Sequence, residues 1–134
     1  MYDGVMSGCI FCGIRDGPKD KQIFENGAAF VILDKFPSEE GHMLVISKRH
    51  SQSMLEAGDD DVSAMFLVAK RMASRAKERL GAEGVNVATN IGREAGQIID
   101  HFHVHVIPRF RPKRRMPHNE MQPELEAELI ARLR

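Results

Sequence analysis

The sequence predicts a single α+β domain: a mainly antiparallel sheet of about five strands, one long helix and a short C-terminal helix. Three observations carry this. Short apolar segments of strand-like character are separated by Gly, Asn and Pro. One longer segment switches to helical spacing. The length, 134 residues, suits one domain and is too short for two. At 43% hydrophobic and 28% charged residues the chain is composed like a folded globular protein. A domain of this size buries roughly two-thirds of the surface of its unfolded chain, so a core forms without disulfides. Lys and Arg number 19, as do Asp and Glu. Such a balance excludes the large basic excess of a nucleic-acid or membrane-surface binder. No apolar run approaches the length of about 20 residues that spans a bilayer, and residues 1–8 lack the basic start and apolar stretch of a secretory signal. A soluble cytoplasmic domain is the expectation.

The elements follow in order. Residues 1–8 read as a frayed tail, and residues 13–21 as a surface loop of turn formers and charges. Strands are predicted over 22–25, 28–33 and 42–47, the first two joined by a tight turn at Asn26-Gly27. From Asp59 the apolar residues fall at Val62, Met65, Phe66, Ala69, Met72, Ala73, Ala76 and Leu80, one face of a helix. Its start, Asp59-Asp60-Asp61, suits the positive end of the helix dipole, and Gly81 is a natural stop. Leu67 and Val68 widen the apolar face beyond one sheet's needs. This hints at an intermolecular contact, although isolated surface leucines are common. Strand spacing returns over 84–90, a polar loop with two glycines spans 91–97, and the last strand is expected over 99–108. Five basic residues lie within 109–115, and a short helix starts at Asn119 or Pro123.

The last strand is the most informative. Alternate strand residues share a face about 6.6–7 Å apart, so His101, His103 and His105 form a row while Phe102, Val104 and Val106 face a core. The row takes three of the chain's six histidines. A half-exposed strand needs polar residues, but Thr, Lys or Glu would serve equally, so the row points to chemistry. Imidazole binds metals, attacks electrophiles or donates hydrogen bonds.

Cys9 and Cys12, three positions apart, form a pincer suited to tetrahedral zinc, with histidines completing the set because no second Cys pair exists. A redox pair or two unrelated buried thiols are the alternatives; a redox CxxC usually opens a helix directly after a strand. His50, just beyond the third strand, is the natural third ligand, and His42 at the other end of that strand belongs to a different environment.

These residues stand in a familiar order: Cys9-x-x-Cys12; Asp34, Pro37 and Gly41-His42-Met43-Leu44-Val45-Ile46; Lys48-Arg49-His50; Ala95-Gly96-Gln97; and His101-Phe102-His103-Val104-His105-Val106-Ile107. The set resembles the histidine-triad (HIT) superfamily of nucleotide hydrolases and transferases over residues 9–109, in its zinc-bearing branch. The resemblance implies the HIT-like fold and a nucleotide substrate, adenine or guanine. His103 is then the nucleophile at the α-phosphorus, forming a nucleotidyl-histidine that water releases. His105 contacts the phosphate and helps the leaving group depart. A structural zinc is implied on Cys9, Cys12, His50 and His101. The resemblance also assigns Asp34 to the ribose hydroxyls, Ile32 to a wall against the base, and Asn90, Gly96 and Gln97 to the phosphate; His42 has a supporting role. Pairing of the helix and the following strand into a homodimer is implied as well.

Two features depart from the family pattern. Ile98 stands where many members carry Ser or Thr, removing a hydroxyl donor, and the basic run 109–115 matches no family motif. That run either contacts a polyanionic leaving group or forms a solvated edge; the latter is the expectation. Three functions follow: hydrolysis of nucleoside phosphoramidates or related nucleoside monophosphate conjugates, cleavage of dinucleoside polyphosphates, or nucleotide binding with incidental hydrolysis. The absence of tryptophan and of a long insertion favours small substrates over sugar-nucleotide transfer.

Overall fold

The computed structural model describes residues 8–116 and 121–134. In chain order it comprises α1 (Ile10–Asp16), β1 (Phe24–Glu25), β2 (Ala29–Leu33), β3 (Met43–Ser47), α2 (Asp59–Leu80), β4 (Gly84–Ala88), a 3-10 turn (Arg93–Ala95), β5 (His103–Arg109) and α3 (Pro123–Leu133). The five strands form one antiparallel sheet in the order β1-β2-β3-β5-β4. The expected fold class is therefore the observed one. The predicted tail falls almost wholly outside the described residues, as does Asn119; the last helix starts at Pro123. No helix among the described residues is long and apolar enough to cross a membrane.

Two differences from the sequence reading matter for the site. Residues 10–16, partly read as loop, form α1, capped by Cys9, whose sulfur accepts from the Cys12 amide. Ile10, Phe11 and Ile14 give this helix an apolar face that packs on the sheet. The last strand begins at His103, not 99, because a tight turn from Ile99 to His101 precedes it.

The alternation of the central strands splits the sheet into two faces. Val31, Leu33, Met43, Val45, Phe102, Val104 and Val106 join Met65, Val68, Ala69 and Met72 of α2 in the main core. Phe30, Leu44 and Ile46 face the other way, with Phe11 of α1 and the half-buried Ile32. His103 pairs with Ile46 and His105 with Leu44, so the histidines share this second face. Val68 is 4% exposed and belongs to the core, leaving Leu67, at 66%, as the residue off the helix stripe. Val68 is therefore no spare contact surface, since the helix buries it against the sheet.

Gly41 places the residue after it. Its φ is +84°, a left-handed conformation, and an added Cβ would lie 2.6 Å from Leu80 Cδ1 and 3.3 Å from Pro108 Cγ. Gly41→Ala therefore strains the backbone and displaces Leu80. The expected loss is about 1–3 kcal/mol in urea unfolding.

Candidate functional site

Two side-chain clusters flank the nucleophile candidate. In the first, Cys9, Cys12, His50 and His101 converge from the helix cap, α1, the segment after β3 and the turn before β5. Cys9 Sγ lies 3.3 Å and Cys12 Sγ 3.6 Å from His101 Nδ1, Cys12 Sγ lies 3.3 Å from His50 Nδ1, and the two Nδ1 atoms are 3.0 Å apart. A tetrahedral ion with sulfur and nitrogen ligands at zinc-like bond lengths sets donor-to-donor edges of about 3.3–3.8 Å, and the separations of 3.0–3.6 Å lie close to that range. His101 Nε2 donates to the Ser47 carbonyl at 2.8 Å, which leaves Nδ1 as a lone pair aimed at the thiols. Burial, then the Cys9 hydrogen bond, pushes the Cys12 thiol up. The donor set fits a metal centre.

In the second cluster, His42, 5% exposed, places Nε2 2.9 Å from His105 Nδ1 and 3.5 Å from Asp34 Oδ2. The Ser38 amide donates to His42 Nδ1 at 3.2 Å. With Nδ1 accepting, Nε2 carries the proton of the neutral ring and offers no lone pair to an ion. His42 and His50 thus occupy separate environments, as expected. Asp34 Oδ1 accepts from the Phe36 amide at 2.9 Å.

His103 lies between the clusters, 8% exposed. Its Nδ1 donates to the His101 carbonyl at 2.6 Å, so Nε2 holds the free lone pair. Phe11 packs edge-on against both the His101 and His103 rings, at 5.8 and 5.0 Å between centroids. Sequence reading missed Phe11 because α1 was taken in part for a loop; its spacing with Ile10 and Ile14 was the available signal. It also missed the carbonyls of Ser47 and His101, since backbone acceptors leave no trace in residue identity.

The loop after β4 departs from expectation at one residue. Gln97 is buried, and its amide is spent on backbone: Nε2 donates to Gln52 and Ile99 carbonyls, and Oε1 accepts from the Gly92 amide. It braces the loop rather than offering donors to a phosphate. Gly96, at φ +92°, lies beside Asn90, whose Nδ2 is 3.5 Å from the Gly96 carbonyl. Ile98 is 71% exposed. The basic run is engaged locally: Arg114 pairs with Glu40 and stacks on Phe110, and Arg109 meets Asn86 and Glu39. Those partners match a surface edge.

Burial dominates the electrostatics. It pushes His42, His101 and His105 down to about 4 and lowers His103 as well. For His42, Arg109 and His103 add to the effect of burial. Between about 4 and the ordinary 6.5 the unfolded chain holds a proton that folded His42 does not. Its contribution to stability is therefore complete above that window and lost as pH falls through it, at up to about 1.4 kcal/mol per pH unit. Urea midpoints of wild type and His42→Gln between pH 4 and 7 should diverge accordingly, the variant showing the shallower acid slope.

Comparison with known proteins identifies the family. The HIT domain matches residues 17–112. The chain is similar to adenosine 5'-monophosphoramidase hnt1 of Schizosaccharomyces pombe, 35% identical over 102 residues, 75% of this chain and 74% of that one. It is also similar to the structure of a hypothetical histidine triad nucleotide-binding protein from Sulfolobus tokodaii, with TM-score 0.86 and 35% identity over 93% of this chain and 89% of that chain. A Zn-bound histidine triad family protein from Mycobacterium smegmatis gives TM-score 0.81 and 34% identity over 95% and 94% of the two chains. The chain, with its row of histidines, belongs to the HIT domain family.

Proposed function

We propose that the protein is a nucleotide hydrolase acting on nucleoside phosphoramidates or related nucleoside monophosphate conjugates through a covalent nucleotidyl-His103. The observation that carries this is the Nδ1–H of His103 donating to the His101 carbonyl, which leaves Nε2 as a buried nucleophile. Nε2 attacks the α-phosphorus, the bond to the leaving nitrogen or oxygen breaks with its electron pair as that atom takes a proton by way of His105, and water then cleaves the phosphorus–nitrogen bond, returning a proton to His105 and releasing the nucleoside monophosphate. His105 contacts the phosphate and the departing group. Asp34 receives the ribose hydroxyls, Ile32 lies against the base, and Asn90 and the backbone around Gly96 meet the phosphate. Gln97 holds that loop in shape. The named activity of the Schizosaccharomyces pombe relative supports this substrate class.

Cys9, Cys12, His50 and His101 hold a zinc in this reading, supported by their spacing and by the Zn-bound Mycobacterium smegmatis neighbour. With four protein ligands the metal has no open position, so it ties α1 to the sheet. Its chemistry is structural. Cys9 and Cys12 form no disulfide, which suits the reducing cytoplasm, where we place the protein.

The function is tested by incubating the protein separately with an adenosine phosphoramidate and a diadenosine polyphosphate and comparing kcat/KM. A higher value for the phosphoramidate is expected. The reverse order assigns the dinucleoside polyphosphate activity, and tight nucleotide binding without turnover of either assigns a binding module.

The same reading includes a homodimer. β4 ends the sheet, with Val87 42% exposed, and the groove it forms with Phe66 and Ala73 of α2 is apolar and flanked by Lys70 and Lys77. A second copy pairing along β4 would extend the sheet and cover this groove. Light scattering at micromolar concentration should give twice the chain mass, and Val87→Lys should give the monomer.

A further inference from the structure

The two cysteines of the chain meet in one cluster, yet their settings differ. Cys9 is half-buried at the cap of α1, whereas Cys12, three positions on, is buried at 8% exposure. The Cys12 amide donates to Cys9 Sγ at 3.5 Å, which holds the outer sulfur over the inner residue. Both sulfurs lie within 3.6 Å of His101 Nδ1, and the four donor atoms of the cluster all fall within 4.8 Å of one another. Rotation of the Cys9 side chain between staggered positions spans the remaining gap between the sulfurs. An outer sulfur within reach of a solvent-borne oxidant, backed by a buried one, is the arrangement of an attacking and a resolving cysteine.

We propose that Cys9 and Cys12 are a reversible modification site: hydrogen peroxide converts them to an intramolecular disulfide, and in that form the cluster does not hold the metal. This rests on the reading of the cluster as a zinc site and is independent of the proposed hydrolysis. In the first step the Cys9 sulfur attacks one peroxide oxygen. The O–O bond breaks, the second oxygen leaves as water with the Cys9 proton, and Cys9 becomes a sulfenic acid. In the second step the Cys12 sulfur attacks the Cys9 sulfur. The S–O bond breaks and the hydroxyl leaves as water with the Cys12 proton; where the thiols are already ionised, solvent supplies both protons. Each sulfur gives up one electron and the peroxide takes two. Disulfide sulfurs carry no negative charge, so only the two imidazoles of His50 and His101 remain as donors, too few for a structural site.

The surroundings make the change reversible. α1 has anchors besides the cluster: Phe11 is fully buried against Phe30, Leu44 and Ile46, and Arg15 Nη1 donates to the Lys48 carbonyl at 2.7 Å. His101 keeps its bond from Nε2 to the Ser47 carbonyl whatever the state of the sulfurs. The histidines and the helix therefore stay in place while the sulfurs are joined, and reduction by a thiol restores the full donor set. With two cysteines in the sequence, no third thiol competes within the chain. Cytoplasmic disulfides are commonly transient and redox-sensing. Metal binding and redox chemistry, alternatives for a CxxC on sequence grounds, are then two states of one cluster.

The test titrates the full-length, zinc-loaded protein with hydrogen peroxide and follows thiols, metal and mass together. Both thiols should disappear in step with release of one zinc per chain to a chelating dye. The intact mass of the single chain should fall by two hydrogens. The melting temperature should drop with the metal content, and dithiothreitol with added zinc should restore both. Cys12→Ser, which lacks the resolving sulfur, should instead gain oxygen at Cys9. Thiols lost as sulfinic acids, a disulfide between two chains, or a disulfide that forms with zinc retained overturns the proposal. If Cys12→Ser does not fold, the wild-type mass and zinc release decide. If the reduced protein takes up no zinc, the metal reading fails and with it the exclusion of metal, while the disulfide stands or falls on the mass.

Discussion

His103→Asn should abolish turnover while leaving nucleotide affinity within about tenfold of wild type. Covalent catalysis through His103 depends on one nitrogen, whereas binding in the proposed site is shared among Asp34, Asn90, His105 and the loop backbone. Loss of a nucleophile that acts with its neighbours as a unit lowers kcat by at least about a thousandfold. Asn keeps an amide donor near the position of Nδ1, so the bond to the His101 carbonyl survives and the fold is undisturbed. Rapid quench of wild type with an adenosine phosphoramidate, followed by mass spectrometry, should show a chain heavier by one nucleotidyl group. The variant should show none. An adduct or full activity in His103→Asn would remove this residue from the chemistry.

Much of this was legible before any coordinates because period-two alternation is a strong signal when one side of it is all histidine. Phe102, Val104 and Val106 do enter the main core while His103 and His105 face the other side. The candidate metal donors Cys9, Cys12 and His50 stood out because thiols and imidazoles are scarce. What escaped was local. The turn at Ile99 to His101 shortens β5, and no residue there forbids a strand. Gly13, Asp16 and Gly17 argued for a loop, yet the Cys9 cap and the apolar contacts of Phe11 outweigh their poor helix propensity. Gln97 was expected to offer its amide to a phosphate; the backbone carbonyls of Gln52 and Ile99 take both of its N–H groups.

Cys9→Ser should release the metal and lower the melting temperature, yet spare a fraction of the activity. Losing a bound ligand present at a few hundred times its Kd removes about 3 kcal/mol, roughly 10 °C for a domain of this size. The substitution also weakens the α1 cap, because Cys9 Sγ accepts from the Cys12 amide. His103 is not among the candidate metal donors, and its own hydrogen bond goes to a backbone carbonyl, so the proposed nucleophile should persist in molecules that remain folded. Metal analysis of protein purified without chelator, together with thermal melts of both forms, checks the claim. A metal-free wild type that melts like Cys9→Ser would make the cysteines bystanders. His50 is exposed, so a chelator should reach the site and reproduce the variant's melt in the wild type.

His101 links the cysteine cluster to His103, with Nδ1 toward the thiols and its carbonyl accepting from His103 Nδ1. The order in which the chain assembles follows from this. Cys9 and His101 are separated by 92 positions, and Cys12 and His50 by 38. His50 and His101 stand side by side only once β3 and β5 have paired, so docking of the N-terminal helix on both is expected to follow that pairing. The contact of His103 with Phe11 should form with that last step. During refolding, recovery of activity should therefore lag behind recovery of sheet structure, and metal uptake should keep time with activity.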